Sequence, residues 1–289
     1  MRIGVKGSAK RIGLIAGSGQ FPLIFSRAAR EKGYDIFAAA YRTEADPHLE
    51  DLVDEIEWVH LGQFNRLINF FKRSRVTELV MLGGIRKTKL FTDVKPDSKA
   101  ILFMAGMRDT HDDRVLRGFA DLLEKEGLHI RPSTMLLPDI LASTGCWTKR
   151  KPTRSEKKDI DLGWTLAKKI GSLDIGQCLV VGGGSVLAVE AIDGTDATIM
   201  RGGKLGKGNA VVVKVCKPNQ DVRFDIPSVG AQTVQTMKDA GAKVLAIEAG
   251  KTVVFDREEM VSLANACRIS IIALDETDMA SKGIIFRQD

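Results

Sequence analysis

Along the first half of the chain, short apolar runs alternate with amphipathic stretches. Residues 11–16 form an apolar strand that runs into Gly17-Ser18-Gly19, residues 21–32 have helical spacing ending at Gly33, and residues 34–41 read as a second strand. Residues 63–73 gather Phe64, Leu67, Ile68 and Phe71 on one helical face, and residues 78–82 read as a buried strand entering Gly83-Gly84. Residues 112–126 carry Val115, Leu116, Phe119, Leu122 and Leu123 at helical spacing and stop at Gly127. Strands and helices in alternation predict parallel pairing with crossover helices, a Rossmann-like α/β layer.

A basic stretch over 148–158, interrupted by Pro152, changes the pattern. It predicts a boundary between an N-terminal domain, residues 1–150, and a mixed α/β C-terminal domain, residues 151–289. Beyond it, strands at 178–181 and 186–191 flank Gly182-Gly183-Gly184-Ser185 and predict a hairpin. Two more strands, 210–215 and 222–226, enclose Lys217-Pro218-Asn219. A helix at 233–240, a strand at 244–248, a turn at Gly250, a helix at 257–267 and a strand at 269–274 complete the reading.

Composition narrows the class. The chain has 289 residues, 44% hydrophobic and 28% charged, which suits a globular protein with room for two cores. No apolar run approaches the roughly 20 residues that span a bilayer, and Arg11 breaks any apolar stretch a signal peptide would need, so residues 1–10 read as an extension and the expected location is cytoplasmic. Cys146, Cys178, Cys216 and Cys267 stand singly, and His48, His60, His111 and His129 lack ligand spacing, which disfavours zinc and a disulfide framework. The net charge of +6 is modest and partly local, with Lys149, Arg150, Lys151, Arg154, Lys157 and Lys158 crowding one stretch. That argues against nucleic acid and leaves a solvated linker, an anionic membrane surface or an anionic substrate.

Several motifs carry chemistry, each beside a plainer reading. Gly17, Ser18, Gly19 and Gln20 lie between a strand and a helix, where backbone N–H groups approach a phosphate or simply turn the chain. Pro22 replaces the third glycine of a dinucleotide fingerprint, and Ala40, Tyr41 and Arg42 stand where a ribose-binding acid would be, so a nicotinamide cofactor is disfavoured. Gly83 and Gly84, with Arg86 and Lys87, are expected to share a crevice with the first loop, or to be a solvated loop. Asp109, Asp112 and Asp113 precede a helix and read chiefly as caps. Glu190, Asp193 and Asp196 crowd a strand end, fitting either a turn or oxygen ligation of a hard cation. Lys214 interrupts an apolar strand, which is costly unless it is paired or turned to solvent. Asp221, Arg223 and Asp225 fall on one face of the expected strand 222–226, either as a surface ion pair or as a phosphate-and-water site.

The stretch Val186-Leu187-Ala188-Val189-Glu190-Ala191-Ile192-Asp193-Gly194-Thr195-Asp196 and the stretch from Lys214 to Gly230 resemble the signatures of the LpxI-type UDP-2,3-diacylglucosamine diphosphatases of lipid A synthesis. The opening from Gly13 to Pro22 is similar too, as is Asp112-Asp113 with Leu116-Arg117, so the resemblance spans roughly Arg11 to Leu274. Asn219, Ser228 and Thr88 depart from the usual glycine, threonine and proline.

The resemblance implies a two-domain magnesium-dependent hydrolase, with the substrate in the cleft between domains. The diphosphate of a lipid-linked nucleotide sugar is split to 2,3-diacylglucosamine 1-phosphate and UMP. The family's essential aspartate matches Asp225. The expected mechanism has Mg²⁺ on carboxylates among Glu190, Asp193 and Asp196, charge taken up by Lys214 and Arg223, and Asp225 orienting or deprotonating water or binding the metal. Gly17, Ser18, Gly19, Gln20, Gly83, Gly84 and Thr195 are the expected substrate contacts. Peripheral contact with the inner membrane and an oligomer are compatible partners. The alternatives are an NAD(P)-dependent oxidoreductase and a non-enzymatic nucleotide- or lipid-binding protein.

Overall fold

The computed structural model describes residues 10–85, 94–106, 112–223 and 225–280. The chain forms two compact units. One comprises Met1–Pro138 with Asp221–Phe224, and the other Asp139–Gln220 with Asp225–Asp289. The division falls at Pro138, ahead of the boundary expected near residue 150. The basic stretch is no linker. It leads into a long helix of the second unit, opened by a capping box in which Thr153 and Glu156 exchange side-chain-to-backbone hydrogen bonds.

The first unit runs β1 (Lys10–Ala16), α1 (Phe21–Glu31), β2 (Tyr34–Tyr41), β3 (Glu55–Val59), α2 (Phe64–Arg73), β4 (Glu78–Leu82), α3 (Ser98–Gly106), α4 (Asp112–Lys125) and β5 (His129–Ile130). Its sheet has the order β3-β2-β1-β4-β5, with every pairing parallel. This is the Rossmann-like layer that the alternation predicts. Under one sheet face, Leu67, Ile68, Phe70 and Phe71 of α2 pack with Phe119, Ala120 and Leu123 of α4. Burying each large apolar side chain contributes about 1.5–3 kcal/mol. The segment Asp221–Phe224 belongs to this unit, where Ser133 N donates to Arg223 O at 3.1 Å.

The second unit runs β6 (Gly145–Cys146), α5 (Arg154–Ser172), β7 (Cys178–Gly182), β8 (Ser185–Val189), α6 (Gly194–Gly206), β9 (Val211–Lys214), β10 (Ser228–Val229), α7 (Ala231–Ala240), β11 (Val244–Glu248), β12 (Val253–Val254), α8 (Arg257–Ala266), β13 (Ser270–Leu274) and α9 (Glu276–Ala280). Its main sheet has the order β6-β13-β11-β9-β7-β8; β9, β11 and β13 are parallel, while β7 and β6 run antiparallel to their neighbours. The β7–β8 hairpin forms as expected, and Asp159 of α5 accepts from Gly183 N at 3.1 Å and Gly184 N at 2.7 Å at its turn. One sheet face packs on α5 through Val211, Val213, Val244, Ala246 and Trp164. The other packs on α6 to α8 through Val180, Val212, Leu245, Ile199, Val234 and Met260. Gly202 of α6 is required by closeness, since a methyl there would stand 2.7 Å from Val180 Cγ1.

One expected strand is absent. Among the described residues, Val222 and Arg223 form a turn and Asp225 and Ile226 are irregular backbone. Asp221 Oδ1 accepts from Arg223 N at 3.1 Å and from Arg223 Nε at 2.9 Å, a local side-chain turn that competes with extended pairing.

Candidate functional site

In the first unit, the loops after β1 and β4 meet where the strand order reverses, the position at which open α/β sheets receive ligands. Gly17 N donates to Leu82 O at 2.8 Å, Ser18 N to Gly84 O at 2.8 Å, and Gly84 N to Ser18 O at 3.2 Å. Ser18 Oγ adds a bond to Gly84 O at 2.9 Å. Gly83 has a φ of +83°, and a methyl on it would lie 2.8 Å from Gly17 C. These glycines let two loops close on each other. The amides of Gly17 and Ser18, for which the sequence reading left a phosphate or a plain turn open, serve that closure together with the amide of Gly84. Gly19 is exposed at the rim, and Gln20 stands at the start of α1 without a side-chain cap. Arg86, Lys87 and Asp109 lie outside the described residues, as do the side chains of Asp112 and Asp113.

In the second unit, the carboxyl end of β9 carries Lys214. It is 8% exposed and stands two residues after Val212, so it lies on the same α6–α8 face of the sheet. Lys214 pairs in register with Cys178, and its Nζ donates to Ser228 O at 2.9 Å. An apolar strand therefore keeps a lysine at its end by giving the ammonium a carbonyl. Glu190 is buried nearby: Oε1 accepts from Thr195 Oγ1 at 2.6 Å and Oε2 from Gln177 N at 3.0 Å. Asp196, in the first turn of α6, accepts from Thr236 Oγ1 of α7 at 3.5 Å. Burial raises the Cys178 thiol pKa, Glu190 and Asp196 reinforce the shift, and Lys214 opposes it, so all three charges converge on this strand end. Two helices of ten residues or more start close by: α6 after β8, and α7 after β10, whose Ser228 O accepts from Lys214. Their amino ends carry partial positive charge.

Asp193 stands apart from that cluster. It accepts from Ala191 N at 3.2 Å and pairs with Arg201, which also donates to Val189 O at 2.9 Å. The Arg201 hydrogen bond, then the Ala191 amide, hold its carboxyl below the usual aspartate range. Among the described residues, no three acidic, histidine or cysteine side chains are arranged to hold a metal ion. Glu190, Asp193 and Asp196 therefore do not fit as a magnesium cage. Glu190 and Asp193 hold the loop into α6, and Asp196 bonds α7 through Thr236.

Arg223 and Asp225 do not share a strand face. Arg223 belongs to the first unit and is clamped by Asp221, with Nη2 to Oδ2 at 2.6 Å; the hydrogen bond to Asp221, then the charges of Glu124 and Asp121, raise its pKa. Asp225 is half-buried in the second unit, three residues before β10, and its charge is felt at the Cys216 thiol.

Comparison with known proteins decides the family. The model of the LpxI N-terminal domain matches residues 11–140, and that of the LpxI C-terminal domain matches residues 143–272. The chain belongs to the LpxI family. A curated LpxI relative, the UDP-2,3-diacylglucosamine pyrophosphatase LpxI of Caulobacter vibrioides, is 29% identical over 279 residues, 92% of this chain and 98% of the relative. Solved structures match only faintly. Pyruvate carboxylase from Rhizobium etli aligns over 45% of this chain and 12% of that one, at 16% identity and a TM-score of 0.28. The ADP complex of N5-carboxyaminoimidazole ribonucleotide synthetase aligns over 71% of this chain and 46% of that one, at 15% identity and a TM-score of 0.28. The LpxI domain limits agree with the compact units in placing the division near residue 140.

Sequence reasoning missed three side chains of this LpxI-family chain. Thr236 holds Asp196 from α7, and Lys168 and Glu248 form a buried ion pair. Glu248 had a legible signal, a charge closing the apolar strand Val244–Glu248. Lys168 had none, because the sequence reading places no element between residue 158 and the strand at 178.

Proposed function

We propose that this chain hydrolyses the diphosphate of UDP-2,3-diacylglucosamine, releasing 2,3-diacylglucosamine 1-phosphate and UMP in lipid A biosynthesis. The reading is carried by the match of both LpxI domains along nearly the whole chain, alongside a relative of that named activity at full length.

A diphosphate is strongly anionic, so attack on it needs neutralisation, alignment and an activated water. Lys214 is suited to the first task, since it is nearly buried, carries three donors and is held at a strand end by Ser228 O. The starts of α6 and α7 add fixed partial charge of the same sign. Glu190 and Thr195 shape the loop that begins α6. Asp225 orients or deprotonates the water. Magnesium carried on the substrate phosphates would supply further neutralisation of their charge. Gly17, Ser18, Gly19, Gln20, Gly83 and Gly84 bound the uridine side through the shape of the paired loops.

A diacylated substrate resides in a membrane, and no helix of the described residues is long and apolar enough to cross one. Peripheral contact with the inner membrane is therefore part of the proposal. The exposed Ile101, Leu102 and Met104 of α3 support it.

The test is turnover of UDP-2,3-diacylglucosamine followed by phosphorus NMR, with Asp225→Ala beside the native protein. The native protein should form both products, and the variant should lose turnover by about a thousandfold or more while still binding substrate. Near-normal hydrolysis by Asp225→Ala, or none by the native protein, ends the reading.

A further inference from the structure

A second charged centre lies at the same end of the six-stranded sheet, on the face that packs against α5. Glu248 closes β11 one residue after Ile247, which belongs to the α6–α8 face, so its side chain falls on the α5 side. Lys168 of α5 meets it there; the two are 6% and 1% exposed. Lys168 Nζ stands 2.8 Å from Glu248 Oε1 and 2.6 Å from Oε2, and donates again to Cys216 O at 2.9 Å. Glu248 Oε2 in turn accepts from Cys216 N at 2.9 Å. Both backbone groups of one residue are thus gripped by the two halves of one buried ion pair. Lys251 adds a second cation to Glu248 at 3.2 Å and is itself held by Glu276 at 2.5 Å.

Cys216 follows the end of β9, where the chain leaves the sheet and its backbone loses strand partners. The grip passes outward into the loop. Gln220 Oε1 accepts from Lys217 N at 2.9 Å and from Cys216 Sγ at 3.2 Å, and Lys217 Nζ pairs with Asp174 at 2.5 Å. This loop leads to Asp225, whose charge reaches back to Cys216. Stability alone gives a weak reason for such a pair, because well-packed apolar side chains of similar volume commonly replace a buried ion pair without loss. Apolar side chains cannot hold an amide and a carbonyl in place.

We propose that Lys168 and Glu248 are positioning residues for the reaction: by clamping Cys216 they set the course of the loop that presents Asp225. The proposal rests on the reading that Asp225 acts at the diphosphate.

The experiment compares native protein, Asp225→Ala, Lys168→Arg, Gln220→Met and the double variant Lys168→Met/Glu248→Leu, measuring kcat, KM and the thermal midpoint of each. The double variant removes both charges together, so no lone ion is left buried. Its kcat should fall about a hundredfold, the scale of an ångström of misplacement, with KM within about threefold. The loss should exceed any fall in the folded fraction. Lys168→Arg should keep most of the native kcat. Gln220→Met lies in the loop, away from the sheet core, and should lower kcat about fivefold with KM unchanged, which decides the matter if the double variant does not fold. A folded double variant with kcat within about twofold of native, or an unaffected Gln220→Met where the double variant is unfolded, overturns the proposal. In either case an active native protein and a dead Asp225→Ala leave the hydrolase reading standing. If the native protein lacks turnover, or Asp225→Ala retains it, the hydrolase reading falls and takes this one with it.

Discussion

Replacing Gly83 with alanine tests whether the two glycine loops of the first unit are one structure. The added methyl would stand 2.8 Å from Gly17 C and 3.0 Å from Gly17 O, well inside normal contact, at a φ of +83°. Relieving the overlap costs about 1–3 kcal/mol, and holding alanine in the left-handed region costs about 1–2 kcal/mol more. The loops escape by separating, which breaks the paired bonds between Ser18 and Gly84. A loss of about 3 kcal/mol corresponds to about a hundredfold faster exchange of those two amides, at about 1.4 kcal/mol per tenfold. Hydrogen exchange read by mass spectrometry on peptides covering Ser18 and Gly84 measures this directly. Gly19→Ala is the control: its φ is +91°, but nothing lies within 4 Å of the added methyl. Only the backbone cost of about 1–2 kcal/mol remains there, about tenfold in exchange. Equal protection of Ser18 and Gly84 in native protein and Gly83→Ala would refute the reasoning.

Two further outcomes follow from charge and burial. Cys178 and Cys216 are buried, and burial followed by the charge of Glu248 pushes the Cys216 thiol up to about 11, whereas Cys146 and Cys267 are partly exposed. A thiol reagent at neutral pH should therefore label Cys146 and Cys267 in the folded protein and the other two only after denaturation; rapid native labelling of Cys216 would contradict this. Hydrogen bonds from Lys72, then Lys99, lower the Glu126 carboxyl from 4.5 to about 2. A depressed folded pKa stabilises above the ordinary value, so this contribution is complete above 4.5 and drains away as the pH falls towards 2. Native protein and Glu126→Gln should converge in denaturation midpoint across that window, and a difference constant with pH would exclude the linkage.

The Rossmann-like half was legible because its strands and helices repeat clean periods between glycines. In the second unit the expected strands β7, β8, β9, β11 and β13 and helices α7 and α8 also form, but α5 and α6 were not legible. In α6, Gly194, Gly202, Gly203 and Gly206 depress helix propensity, and Asp193-Gly194 reads as a turn. Packing overrides that preference, because Gly202 must lie against Val180 and a methyl on Gly203 would stand 2.7 Å from Ala240 O. For α5, the Thr153-to-Glu156 box was a readable start signal, masked by the crowd of basic side chains around it. The expected strand 222–226 failed because Asp221 bonds its own neighbour's backbone, a local choice that alternation cannot see. At the site, Lys214 stood out as a charge in an apolar strand, and so did the carboxylates before α6. Their partners Ser228, Gln177 and Thr236 come from other elements, and only tertiary packing brings them in.

Asp221–Phe224 belongs to the first unit although most of the second unit's chain precedes it. A polypeptide emerging from the ribosome amino end first can build β1 to β5 early, yet the acceptor for Ser133 N and the acid that clamps Arg223 arrive late. The first unit must wait until somewhat over half of the second is synthesised before its last stitch is made, and a fragment ending at Pro138 lacks that stitch altogether.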